Sequence, residues 1–213
     1  MEQKIEYAKD SKERVPFEHY LSLYRAAAPA DMSKRTGVFY DDERKCFDVM
    51  MMNTTYHITW PDFEISHDED GVNYHALEET IPAKILVIRY LLEGCFTPAK
   101  GGYYTYREMP WGEVYYKQFQ GRCIMRLAYG FGNKLEKFSE VMEKLGGKRA
   151  ADGDCSYELE FLSGLLIKFI LWEGDEEFPP SAQILFADNF PVAFSAEDMA
   201  VVGDITIGTF KKL

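Results

Sequence analysis

The spacing of apolar positions changes along the chain and marks out its elements. Over residues 17–28, Phe17, Tyr20, Leu21, Tyr24 and Ala28 recur at helical spacing, and Pro29 and Gly37 close that region. The period then drops to two. Phe47, Val49 and Met51 form one strand, and Tyr56, Ile58 and Trp60 form a second. Asn53-Thr54 supplies a tight turn between them, and Pro61 stops the hairpin. Residues 67–75 are acidic and polar, which predicts a loop. Thr80 is placed to cap a helix over 81–93, with Pro82 in its first turn and apolar residues around much of its circumference.

Residues 96–112 carry two prolines and three glycines and read as a loop with a short strand at 103–107. A helix is predicted over 113–129. A second follows, opened by a capping box at Asn133 and Glu136 and stopped by Gly146-Gly147. Tyr157, Leu159 and Phe161 alternate with Glu158 and Glu160. After a Ser163-Gly164 turn, residues 165–172 form a nearly continuous apolar strand, and residues 182–187 make a third. Ser195 and Asp198 mark another helix start. Residues 201–208 mix β-branched residues with Gly203 and Gly208 and leave helix and strand both open. Strands and helices are grouped rather than alternating. The expected fold is α+β: one domain over 1–213, with an antiparallel sheet made of an amino-terminal hairpin and a carboxy-terminal meander, packed with about four to five helices.

Composition narrows the function classes. Of 213 residues, 46% are apolar, enough for a core without metal or disulfide staples. With 24 Lys and Arg against 35 Asp and Glu, the net charge of −11 repels nucleic acid and anionic membrane, so neither is an expected partner. The apolar runs are too short to span a bilayer, and residues 1–6 lack the apolar core of a secretory signal. The four cysteines, Cys46, Cys95, Cys123 and Cys155, show no paired spacing and read as reduced cytoplasmic thiols.

Two stretches could carry chemistry. Residues 101–116 hold five tyrosines and one tryptophan. Tyr104, Tyr106, Trp111 and Tyr116 are candidate ligand-binding aromatics, and Arg107 is a fork for a carboxylate or phosphate. The bland alternative is a loop that wraps the core. Residues 172–180 place Glu173, Asp175, Glu176 and Glu177 just after Trp172, with Gly174 and Pro179-Pro180 stiffening the backbone. Trp172, Glu173, Asp175 and Glu176 complete the candidate site. The carboxylates could hold a cationic group or act as an acid–base pair, or they could simply face water. The histidines are weaker leads. His19 and His57 lie on polar faces, and His67 and His75 flank an acidic loop at a spacing that fits no zinc template, so no metal site is expected. Signatures of nucleotide-phosphate loops, serine hydrolases and zinc proteases are absent.

The string 172–188, together with Tyr106-Arg107-Glu108-Met109-Pro110, Tyr115-Tyr116 and Ile58-Thr59-Trp60-Pro61-Asp62, resembles the DUF3786 family. That resemblance implies a domain of unknown function from anaerobic bacteria and archaea. Some relatives carry an added iron–sulfur module in a corrinoid or one-carbon setting, and this chain lacks such a cysteine-rich module. The expectation is a small-molecule- or cofactor-binding, or accessory, protein of anaerobic metabolism, its cofactor unidentified, with a pocket between residues 103–116 and 172–180. The alternatives are a carboxylate-dependent hydrolase or lyase and a protein–protein interaction module.

Overall fold

The computed structural model describes residues 13–213, so the amino-terminal residues 1–6 lie outside it. The chain opens with helices α1 (Val15–Ala26) and α2 (Pro29–Thr36). Pro29 does not end a helix. It starts the second one, because a proline at the first helical position lacks only an amide that has no partner there anyway. Gly37 closes α2 in the left-handed conformation, at φ 72°.

Strands β1 (Phe39–Asp41), β2 (Cys46–Met51), β3 (Thr54–Thr59) and β4 (Ile65–His67) follow. Met52 and Asn53, both at positive φ, form the β2–β3 turn, so Thr54 already belongs to the strand. Helices α3 (Ala76–Glu79) and α4 (Ile81–Glu93) come next, with the Thr80 hydroxyl accepting the Ala83 amide. Strand β5 (Tyr103–Thr105) runs into one 3-10 turn, Tyr106–Glu108. Helix α5 (Gly112–Phe119) continues through a π-turn, Gln120–Ile124, into α6 (Met125–Phe131). Helix α7 (Leu135–Lys144), strands β6 (Lys148–Ala150), β7 (Cys155–Leu162), β8 (Leu165–Trp172) and β9 (Ser181–Ala187), and helices α8 (Phe190–Ala193) and α9 (Ala196–Phe210) complete the chain.

All nine strands join one antiparallel sheet in the order β4-β3-β2-β7-β8-β9-β5, with β1 on β2 and β6 on β7. The hairpin and the meander meet at one register pair, Met51 with Leu162, and Met52 N–H donates to the Phe161 carbonyl at 3.0 Å. On β8, Ile167, Phe169 and Leu171 are fully buried beneath the helices, while Lys168 points to the opposite face. Helix α4 is buried on most sides, as its apolar circumference predicts.

Residues 201–208 are helical. Propensity alone leaves them open, but packing decides. Val202, Thr206 and Ile207 are fully buried, and the Thr206 and Thr209 hydroxyls donate back to the carbonyls of Val202 and Ile205. Gly203 sits where a Cβ would lie 2.8 Å from Cys123 Sγ, so glycine lets α9 close on the π-turn. No helix of the described residues is long and apolar enough to cross a membrane.

Candidate functional site

The aromatic stretch splits into residues that build and residues that are presented. Strand β5 borders the sheet on β9, pairing Tyr103 with Ala187 and Thr105 with Leu185. Glu108 accepts both the Thr105 amide (2.7 Å) and its hydroxyl (2.8 Å), which closes the 3-10 turn. Those bonds, the amide's first, hold the Glu108 carboxyl below its usual range. Tyr106 is buried. Its hydroxyl donates to the Ala196 carbonyl at 2.6 Å, and its ring lies parallel over Phe119 at 4.0 Å. Arg107 uses its fork locally. Nε and Nη2 meet both oxygens of Glu113 at 2.7 and 2.8 Å, and the guanidinium covers the half-buried Tyr116 ring at 4.7 Å. Arg107 therefore pairs within its own segment.

Trp111 stands apart from these. It is 77% exposed and holds φ 63°, a left-handed backbone for a bulky residue. The cause is next door: a Cβ on Gly112 would lie 1.8 Å from the Tyr106 carbonyl oxygen, so the chain passes through a space only glycine fits. Val114, three residues on, and Tyr104, seven residues before it on β5, are also exposed, at 70% and 44%.

The acidic loop is a constructed turn. Trp172, partly exposed, pairs with Ser181 at the end of β8. The Glu173 amide donates to Asp154 at 2.8 Å, and the Gly174 amide donates to Asn133 at 3.2 Å. Asn133 thus does not cap α7 as its sequence position predicts. Lys134 occupies the cap position and makes no side-chain cap bond. Asp175 accepts the amides of Glu177 (2.8 Å) and Phe178 (2.7 Å), and these, the Phe178 bond first, keep its carboxyl ionised below its ordinary range. Glu173, Glu176 and Glu177 are exposed.

The two stretches lie at opposite ends of the α5–α6 segment. Arg107 is tied to its first turns, whereas Pro180 packs where a Cβ on Gly132, just past its end, would sit. The helix rise puts roughly 30 Å between the Trp111 end and Gly132, while along β9 the partners of Thr105 and Trp172, Leu185 and Ser181, are four residues or about 13 Å apart. Among the described residues no hydrogen bond, ion pair or ring contact joins the two stretches.

A third cluster forms where sequence spacing pointed to nothing. His67 ends β4, His75 precedes α3, and Glu78 lies in α3. The two imidazole rings stack at 3.7 Å, and His67 Nδ1 meets Glu78 Oε1 at 2.7 Å. His75 Nε2 lies 3.2 Å from Asp70. Asp70 also accepts the Val72 amide at 2.8 Å and the Thr54 hydroxyl. Burial alone would raise the Asp70 carboxyl, but the Thr54, Val72 and His75 bonds outweigh it and hold the group low. His57 bonds Asp48 (2.7 Å) and Asp68 (3.1 Å), which raise its pKa, the Asp48 bond most. His67, His75 and Glu78 each bring a donor atom within 4.8 Å of the others, as do Cys46, Asp48 and His57. The readable signal was a His-x-x-Glu pair one helical turn apart, closing an acidic loop that begins at another histidine.

These features define an α+β fold with an open antiparallel sheet, an exposed aromatic end and a histidine–carboxylate cluster at the opposite sheet edge. The chain belongs to the DUF3786 family, a domain of unknown function whose family model matches residues 28–209. No curated protein and no solved structure matches it.

Proposed function

We propose that this domain is an accessory binding protein that docks a protein partner through the end built by residues 103–116. The observation that supports this reading is Trp111. A non-glycine residue in the left-handed region costs about 1–2 kcal/mol, and a side chain left this exposed returns little of that by burial. Strain of this kind persists where the surrounding structure imposes it, and such positions cluster at functional sites. Tryptophan and tyrosine also dominate the energetics of protein interfaces. The platform is preorganised: Glu108 closes the turn, and Glu113 and Tyr116 hold Arg107.

The partner's chemistry follows from charge. Exposed Glu108 and Glu113 rim the aromatic end, and the whole chain carries −11. A partner with an apolar pocket and a basic rim is complementary to both. The free cysteines fit a reducing cytoplasm. The absence, among the described residues, of any hydrogen bond, ion pair or ring contact between the two stretches favours this reading over a shared small-molecule pocket. Asp175, spent on a turn, lends no support to a carboxylate-dependent hydrolase or lyase.

A photo-crosslinking amino acid at position 111, expressed in the native cells, tests the proposal. One discrete partner adduct is expected from position 111, and none from Phe39 on β1, which is itself 60% exposed. Val114→Asp should abolish it. Identical adduct patterns from 111 and 39, or none from either, would count against docking.

A further inference from the structure

We infer that His67, His75 and Glu78 bind one divalent first-row transition ion. The site is independent of the docking surface and lies on the β3–β4 edge, away from β5. The donor set is two imidazoles and one carboxylate. Nitrogen donors of this kind favour zinc, iron(II), cobalt, nickel or copper over magnesium or calcium, which take oxygen.

Three features separate this cluster from an ordinary hydrogen-bonded histidine pair. The first is free donor capacity. Among the described residues, protein hydrogen bonds engage only Nδ1 of His67 and only Nε2 of His75, which leaves one nitrogen on each ring unspoken for. The second is support from behind. Asp70 faces the Nε2 of His75 and is itself fixed by Thr54 and Val72, the carboxylate–histidine arrangement that orients metal-bound imidazoles. The third is access with partial shelter: the side chains of His67 and Glu78 are 28% and 31% exposed, while His75 and Asp70 are nearly buried.

The three donors are clustered but not yet directed at one point. Donors on a four-coordinate ion with ~2.1 Å bonds sit roughly 3.4 Å apart, and each of these three residues brings a donor atom within 4.8 Å of the others. To close the set, the partly exposed His67 and Glu78 side chains give up their mutual bond and His67 turns out of the stack, because an imidazole nitrogen's lone pair lies in the plane of its ring. Three protein ligands also leave a position for water or an exogenous ligand, as in exchangeable rather than closed structural sites. Cys46, Asp48 and His57 meet the same spacing but suit an ion less. Burial raises the Cys46 thiol away from the thiolate, and His57 already uses both ring nitrogens on carboxylates.

The test uses the full chain, stripped of metal and titrated with zinc under anaerobic conditions by calorimetry. One ion per chain is expected. The ring-nitrogen NMR shifts of His67 and His75, and not of His57 or His19, should move on binding. Glu78→Gln and His75→Asn should each weaken binding by at least about tenfold, and Asp70→Asn by about 10–100-fold, as for other second-layer partners. Retained thermal unfolding of each variant separates lost ligation from lost fold. The NMR readout needs no variant, so a variant that fails to fold leaves the question decidable. Absence of stoichiometric zinc binding, or ring shifts confined to His57, would overturn the assignment.

Discussion

Two acidic loops on this molecule look alike in composition and differ in what their carboxylates hold. Residues 173–177 and residues 68–78 each crowd acids into a short turn. In the first, Asp175 takes two backbone amides, and its glutamate neighbours face water. In the second, Asp68, Asp70 and Glu78 each face an imidazole. Carboxylate density therefore does not mark a site; the groups the carboxylates meet do. The aromatic stretch divides in the same way. Tyr106 satisfies its hydroxyl on Ala196 and belongs to the core, whereas Trp111, five positions later, belongs to the surface.

The largest effect expected from this comparison lies at the glycine that imposes the Trp111 geometry. Gly112→Ala would drive a Cβ to 1.8 Å from a backbone carbonyl, which cannot yield as a flexible side chain does. Its expected cost is about 3–5 kcal/mol, the range of severe steric and strain mutations. Gly121, in the π-turn nearby, has nothing within 4 Å of such a Cβ. Gly121→Ala should be neutral or stabilise by about 0.5–1 kcal/mol. Urea unfolding of the two variants should differ in sign or at least several-fold. Equal destabilisation would mean that the close approach at Gly112 is not what fixes the turn.

How much of this was legible depended on whether the signal was local. The meander was readable because Tyr157, Leu159 and Phe161 alternate and residues 165–172 are apolar throughout. The α4 helix was readable from its stripe and its Thr80 cap. Residues 201–208 were not, since Val202, Ile205 and Ile207 are helical only because the core closes around them. Asn133 has the spacing of a capping box, yet a loop some forty residues later takes its oxygen. Three short helices, α2, α3 and α8, were missed because each is four to eight residues long and carries little periodicity. The histidine cluster was hidden for a related reason. His67 and His75 are brought together by the β3–β4 pairing and the loop between them, which no fixed sequence spacing records.

The next effect compares the two acidic turns directly. Asp70→Ala leaves the Thr54 hydroxyl, the Val72 amide and His75 without their acceptor in a nearly buried position. About 1–3 kcal/mol should be lost. Asp175→Ala removes an exposed turn former and should lower the melting temperature far less. Because the Asp70 pKa is depressed on folding, its contribution is present above the unfolded aspartate value and is lost as pH falls through the folded one. The gap between wild type and Asp70→Ala should therefore narrow in strong acid. A gap that stays constant to pH 2 would remove the charge from the explanation.

His57 carries the opposite sign. Its pKa is raised by Asp48 and then Asp68, so its contribution is full below the unfolded histidine value of 6.5 and fades as pH rises through the folded one. His57→Asn should be destabilising at pH 5.5 and close to neutral by pH 9, measured by urea unfolding across that range. A difference that grows with pH would contradict the His57–Asp48 pairing as an ionic one.

The smallest effect bears on the docking proposal itself. At Trp111 two terms compete. Glycine relieves about 1–2 kcal/mol of left-handed strain but costs about 0.5–1 kcal/mol in the freedom of the unfolded chain. The side chain is 77% exposed, so little burial is forfeited. Trp111→Gly should leave stability unchanged or raise it by a few tenths to about 1 kcal/mol, read by thermal and urea unfolding together. Combined with loss of partner capture by a crosslinker placed at the exposed Tyr104 instead, that result would place Trp111 where recognition, not folding, keeps it. A loss of 2 kcal/mol or more would show that the indole packs on its platform in solution. Trp111 would then join Tyr106 as a building residue, and the contrast between them on which the docking proposal rests would be gone.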